Sequence, residues 1–370
     1  MNIVKPIYVT KPAIPSKSEY YKEISTIFDQ DILTNNGPEV QKLSHLLARY
    51  LGVRNVSLFV NGHAALVVAL MSLGLKGEVI TTPFTFASTT HAIVQCGLTP
   101  VFCDIQSDDC TMDPTKIEAL ITDKTCAIVP VHVFGNPCDT EAIEAIAKKH
   151  HLKVIYDAAH AFGVRYHDQP IGQYGDVSMF SFHATKVFNT IEGGALAFSD
   201  SNLNVPFDEN KDFGLQGSVD VETCGINAKM NEFSAAMGVC NLKHVDDSIA
   251  LRKQICQRYL SNLQKVPGLS FPLPREGTQS NYAYFPMLVQ EDDYGMNRDE
   301  LCDLLASHQI FPRKYFYPLT SDFPCYHGQF DSSLTPIALA TTSRVITLPI
   351  YPSLPLASVD RICRIIRNQK

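Results

Sequence analysis

The stretches VIYDAAHAFGVRY (154–166) and DVSMFSFHATKVFNTIEGGALAF (176–198) decide the reading of this chain. Asp157 closes the apolar run VIYD, and Lys186 follows the second run, VSMFSF. Both runs have the length and the β-branched and aromatic content of buried strands. A carboxylate and an amine, each carried at the end of a buried strand, suit pyridoxal 5'-phosphate. The lysine would hold its aldehyde as a Schiff base, and the carboxylate would keep its pyridine nitrogen protonated. The aminated form, PMP, would be the intermediate form.

Working outward, strand and helix patterns alternate. VSLFV (56–60), EVITT (78–82), TPVFCDI, CAIVPVHVFG and KVIYDA read as strands. Between them, helices are expected over 65–74, 84–95, 114–121 and 140–150. This alternation predicts an α/β fold, a mostly parallel sheet flanked by helices on both faces. Three prolines around IYVT mark residues 1–16 as an arm, followed by a helix over 17–30 and another over 39–51. After residue 198 the chain is polar and irregular to about 227. One long helix is then expected from 229 to about 263, leading into a smaller C-terminal α+β domain. That domain has a strand near 282–289 and helices over 298–308 and 356–368. The expected division is 1–16 arm, 17–248 large domain and 249–370 small domain.

The 370 residues carry 45% hydrophobic and 19% charged side chains, enough for two cores. Net charge is −7 with no Lys/Arg block, which argues against nucleic acid as partner. Eleven scattered cysteines, an odd number with no CxxC pair, indicate reduced thiols and a cytoplasmic protein, and no metal is expected. No signal peptide and no membrane span is evident in the sequence.

Several groups carry chemistry. Strand VSLFV, then Asn61-Gly62-His63-Ala64-Ala65 opening a helix, forms a phosphate cup from free helix amides. Every strand-to-helix turn has such amides, so the signal is weak alone and gains from a hydroxyl such as Ser181. Phe84 and Phe86 can be core, or one can stack on a planar ring. Asp157 is a helix cap, a salt-bridge partner or the pyridinium partner. Lys186 is a surface lysine or a desolvated nucleophile. His160 and His183 are core histidines or site residues. Asn35-Asn36-Gly37-Pro38 is a turn, with a substrate-side loop as the other reading.

NGHAAL, TPFTFAST, DAAHA, SFHATK with IEGG, and GINAKMNE, in this order, resemble the DegT/DnrJ/EryC1/StrS aminotransferases, over nearly the whole chain. The resemblance implies a fold type I, pyridoxal-phosphate-dependent sugar aminotransferase. It makes Lys186 the nucleophile and proton carrier, Asp157 the partner of the pyridine nitrogen and Phe86 the stacking ring. It puts His160 near the phenolic oxygen, and Gly62, His63 and Ser181 around the phosphate. Asn227 would reach the phosphate of a neighbouring subunit, so the active sites of a homodimer would be shared. One departure is visible: the cup usually reads S-G-T-x-A, and His63 stands where a threonine is usual.

IEGG after the lysine resembles members that act at the sugar 4-position. The implied reaction converts dTDP-4-dehydro-6-deoxy-D-glucose and L-glutamate to dTDP-4-amino-4,6-dideoxy-D-glucose and 2-oxoglutarate, for O-antigen or related glycans. Asn35, Lys229, Arg313, Lys314 and Arg344 are candidates for binding this substrate, because its anionic groups need cations and hydrogen-bond donors. The alternatives are a 3-keto-sugar aminotransferase, a sugar dehydratase of the same fold and a non-catalytic dimeric scaffold. The intact Lys186 counts against the dehydratase, and Lys186 with Asp157 against the scaffold.

Overall fold

Apolar strands of this kind need a sheet covered on both faces, and the chain builds one. The computed structural model describes residues 5–217 and 219–368. Residues 1–4 of the expected arm, residue 218 of the polar stretch and residues 369–370 of the expected small domain lie outside them.

The first half provides β1 (Ile7–Tyr8), α1 (Lys17–Gln30), α2 (Pro38–Tyr50), β2 (Asn55–Phe59), α3 (Gly62–Ser72), β3 (Glu78–Thr81), α4 (Ala87–Gln95) and β4 (Thr99–Phe102). Then come β5 (Thr125–Ile128), α5 (Thr140–His150), β6 (Lys153–Asp157), β7 (Val177–Ser181) and β8 (Gly194–Phe198). The large sheet has the order β2-β8-β7-β6-β5-β3-β4. Pairing is parallel from β7 to β4, whereas β8 runs antiparallel to both β2 and β7. The reason lies in the connection. Residues 182–193 fold straight back without a helix, and a parallel return needs a crossover. Lys186 sits on that return.

Helix α3 is apolar around almost its whole circumference and is buried nearly throughout. Asn61 caps it, its side-chain oxygen accepting the Ala64 N–H at 2.8 Å. Helix α2 starts on Pro38, and the buried Glu232 carboxylate accepts from the Glu39 and Val40 amides at 2.7 and 3.2 Å.

The second half adds α6 (Glu232–Leu242), α7 (Val245–Leu263), β9 (Leu269–Ser270), β10 (Phe285–Val289), α8 (Arg298–Ser307), β11 (Ile310–Phe311), β12 (Val345–Leu348) and α9 (Leu356–Arg367). Strands β9, β10 and β12 form an antiparallel sheet. Around it lies a separate core containing Ile255, Tyr259, Leu263, Phe285, Ile362 and Ile366. The arm joins this part: β1 pairs parallel with β11, and the Ile350 N–H donates to Val9 O at 3.0 Å.

Four expectations change. The helix expected over 229–263 is two, broken at Lys243–His244. The residues on the two sides serve different cores, Val239 the large one and Tyr259 the small one, so the chain must turn between them. Residues 114–121 form two 3-10 turns instead of an α-helix, the first capped by Asp113. The strand begun by Thr125 ends at Ile128, because Pro130 has no N–H for a ladder. The stretch after residue 198, expected to be irregular, holds a helix, Asn204–Asn210, and a two-stranded ribbon, Leu215–Gln216 with Asp220–Val221.

Strand β8 passes against the start of α3. A Cβ on Gly194 would lie 2.6 Å from the backbone of Asn61 and Gly62. Gly194→Ala is therefore expected to destabilise the fold by roughly 1–3 kcal/mol, as overpacking against backbone does. Urea denaturation checks this, and a change below about 0.5 kcal/mol would show that the contact gives way freely.

Candidate active site

Asp157 is the last residue of β6, at the carboxyl edge of the parallel strands, where open α/β sheets bind ligands. Its backbone is held on both sides. Asp157 N donates to Pro130 O at 2.9 Å, and Asp157 O accepts from His132 N at 3.0 Å. Its side chain is 4% exposed. Oδ2 accepts from the Thr89 hydroxyl at 2.7 Å and Oδ1 from the Ala159 N–H at 3.0 Å. Among the described residues no cation forms an ion pair with it. Burial pushes its carboxyl above the ordinary aspartate range, against the Thr89 and Ala159 hydrogen bonds and the Lys186 charge.

Lys186 follows β7 on the return to β8. Its N–H donates to His183 O at 2.9 Å, while Thr190 N and Phe182 O close the loop behind it at 2.9 Å. Lys186 Nζ donates to the Tyr284 hydroxyl at 3.3 Å.

Gly62 and His63 open α3, and the helix leaves their amides without intrahelical acceptors. A Cβ on Gly62 would meet Ser181 Cβ at 2.9 Å, so only glycine lets the cup close onto β7. The His63 ring is clamped to α4: Nδ1 lies 2.9 Å from Ser88 Oγ and Nε2 2.9 Å from Gln95 Oε1. In place of the usual threonine hydroxyl, this position ties two helices together.

These groups line one cavity of about 640 Å³. It brings together Gly62, His63, Phe86, Asp157, Ser181, Lys186 and Arg313. Phe86 caps α4 with its ring 58% exposed. Arg313 Nη1 donates to the Tyr315 hydroxyl at 3.2 Å, and among the described residues it has no carboxylate partner.

The other expected residues lie elsewhere. His160 is buried and lines a smaller void under Lys186, its ring stacked on Phe316 at 5.6 Å. Its Nδ1 accepts the Phe134 N–H at 3.3 Å, which leaves the proton on Nε2. Burial, then the lysine charge, holds this ring neutral. Lys314 pairs with Asp299 at 2.6 Å, and Arg344 Nη1 donates to Gln290 Oε1 at 2.8 Å, so neither cation lines the cavity. Lys229 is paired with Asp212. Asn35 is exposed at a positive φ of 62°, and Asn227 is exposed at the end of its loop.

Sequence reasoning missed Thr89, Ser88, Gln95, Tyr284, Tyr315 and Phe316. Thr89 and Ser88 stand three and two residues beyond Phe86, so the first turn of that helix was the available signal. Tyr284 carried none, since its contact spans 98 positions.

The donor set fits pyridoxal phosphate. A buried carboxylate without a cation awaits one, an exposed aromatic ring overlooks it, an amine lines the same cavity, and free amides face an anion site that only glycine permits.

Comparison with known proteins agrees with this chemistry. The profile of the DegT/DnrJ/EryC1/StrS aminotransferase family matches residues 16–367. A relative from Shigella dysenteriae, named dTDP-4-amino-4,6-dideoxy-D-glucose transaminase, is 43% identical over 366 residues, covering 99% of this chain and 100% of its own. The structure of DesI in the presence of its TDP-sugar product superposes with a TM-score of 0.94 at 32% identity, covering 99% of this chain and 93% of that one. The PLP form of Spr1654 from Streptococcus pneumoniae, a protein assigned as a sugar aminotransferase, gives 0.90 at 26% identity, covering 98% of both chains.

The raised carboxyl of Asp157 has a sign. Stability contributed by its neutral form is complete below the ordinary aspartate value and is lost as pH rises through the raised one. Asp157→Asn should therefore melt higher than the parent at pH 8 when both lack cofactor, with the gap closing toward pH 4. Turnover of the loaded variant should fall at least about 100-fold, because the ring nitrogen loses its anionic partner. Melting curves at the two pH values check the first part, and an equal gap at both would refute it.

Proposed function

The chain belongs to the DegT/DnrJ/EryC1/StrS aminotransferase family, and from that premise we propose that it aminates a nucleotide-linked 4-keto-6-deoxy sugar with pyridoxal 5'-phosphate. The observation that carries this is the convergence of Lys186, Asp157 and Phe86 on one cavity. The acceptor is dTDP-4-dehydro-6-deoxy-D-glucose and the donor L-glutamate, giving dTDP-4-amino-4,6-dideoxy-D-glucose and 2-oxoglutarate. Support for this sugar is the 43% identity to the Shigella dysenteriae transaminase across both full lengths.

When bound, the cofactor supplies an electron sink for a carbanion and a carrier for the amino group. Asp157 keeps its ring nitrogen protonated, and that cation in turn neutralises a carboxylate buried without a partner. Phe86 covers the ring face. The Gly62 and His63 amides and the Ser181 hydroxyl hold the phosphate, and His160 stands below with its Nε2 proton. Lys186 is the attachment point, and its Nζ takes and returns the proton at the carbon that loses or gains the amino group. Arg313 receives an anionic group of the substrates. We carry Lys314 and Arg344 no further as substrate ligands, since both are engaged outside the cavity.

The protein works as a homodimer in this reading. Asn227 is exposed away from its own cavity, as a residue reaching into a partner's site must be. Exposed Phe213, Val219 and Val221 near it offer an apolar surface for that contact. The setting is cytoplasmic, supported by eleven free cysteines, and the product serves O-antigen or related glycans. Among the described residues no helix is long and apolar enough to cross a membrane.

Absorbance spectroscopy tests the whole reading. A visible band should form with pyridoxal phosphate, bleach with glutamate and return with dTDP-4-dehydro-6-deoxy-D-glucose. Bleaching without return would discard the sugar, and no band would discard the cofactor. Lys186→Ala should lose at least about 1,000-fold in turnover while still binding PMP, since nucleophile and proton carrier go together.

A further inference from the structure

The roles above leave Tyr284 unused, although its hydroxyl accepts from Lys186 Nζ at 3.3 Å, the long end of the hydrogen-bond range. Tyr284 directly precedes β10 of the small domain, so this contact joins the small domain to the lysine-bearing loop of the large sheet. The side chain is 8% exposed. Its ring meets His160 edge-on at 4.9 Å and Tyr315 at 5.8 Å.

The backbone before it is fixed by two buried polar side chains. Asn281 Nδ2 donates to His160 O at 2.8 Å and to Phe162 O at 2.9 Å, and its Oδ1 accepts the Ala283 N–H at 3.0 Å. Arg252, fully buried on α7, donates from Nη1 to Ala283 O at 3.3 Å and to Ile350 O at 3.1 Å. Amide and carbonyl of the residue before Tyr284 are thus both held, and packing around the ring holds the rest. A hydroxyl so fixed is preorganised, in the sense that its position does not depend on the lysine. The void beneath Lys186, lined by His160, Asn281 and Tyr284, has a volume of only about 10 Å³. It accommodates at most one water, so bulk solvent does not compete for the amine from below.

We propose that Tyr284 is a positioning residue whose hydroxyl holds the Lys186 amine in place while that amine is not joined to the cofactor, keeping it aimed at the carbon whose proton it moves. This rests on the transaminase reading above. An amine released from its bond has four flexible methylenes and swings freely unless something receives it.

Tyr284→Phe keeps the ring and removes only the hydroxyl. Cofactor-free protein is mixed with pyridoxal phosphate, and the rate at which the visible band appears is followed. The band is expected to form about 3-fold or more slowly in the variant, because the amine is no longer held where the aldehyde meets it. In steady state kcat is expected to fall about 10-fold for misplacement of the proton carrier, with KM for glutamate and for the sugar within about 2-fold. A melting curve matching the parent's shows that the fold is intact. An unchanged rate of band formation together with kcat within about 2-fold would overturn the proposal, since only packing would then be left. A rise in KM alone would overturn it too, by moving the hydroxyl's contact to the substrate. Parent protein without any band would instead refute the transaminase reading, and this proposal with it.

Discussion

A carboxylate buried at the end of a strand with no cation beside it is the constraint on which the site depends. Asp157 is shielded by the sheet, and two hydrogen bonds from Thr89 and Ala159 only partly offset the loss of water. The fold tolerates this because the surrounding ladder fixes the residue through its own N–H and C=O. A cation arriving beside it would remove the penalty, so binding energy and pre-set geometry would come from the same group. The helix that supplies Thr89 also carries Phe86 at its cap, which couples the position of that exposed ring to that of the carboxylate.

The antiparallel strand β8 follows from where the lysine must be. A crossover helix after β7 would carry the chain away to the next parallel strand. The direct return instead keeps Lys186 at the strand edge beside Asp157, and it brings the glycine pair at 193–194 alongside the cup. Gly194 then lies against Asn61 and Gly62, and Gly62 against Ser181. Two contacts closer than a methyl group allows thus lock the phosphate cup, the lysine loop and the strand edge into one rigid unit.

Much of this was legible in the sequence, for a physical reason. Asp157 ends one apolar run and Lys186 stands just beyond another, and strand ends at one edge of a parallel sheet meet in space whatever their separation in the chain. The same logic read the alternation of strands and helices through residue 198, apart from residues 114–121, which form 3-10 turns, and the strand from Thr125, which stops at Ile128. It failed where distant packing decides: at the break between α6 and α7, where neighbouring turns belong to different cores, and in the small domain, where the short strands β9 and β12 went unread. Basic side chains were the poorest guide. Lys314 and Arg344 had the right charge, yet each is already engaged by a near neighbour, Asp299 and Gln290, which composition alone cannot show.

Floor and wall of the cavity therefore come from different parts of the chain. The large sheet supplies the carboxylate, the lysine and the anion cup on a scaffold held by ladders and close glycine contacts. The later part of the chain supplies Tyr284, Arg313, Tyr315 and Phe316, of which Tyr284 and Phe316 pack into the large core. Changes in the cofactor-facing floor must preserve contacts at the limit of steric approach. Changes in the wall meet aromatic rings and the Arg313 guanidinium, with the Lys186–Tyr284 contact as one point where wall and floor touch. A chain built this way can have its cavity reshaped from the wall while the close contacts of the floor are kept.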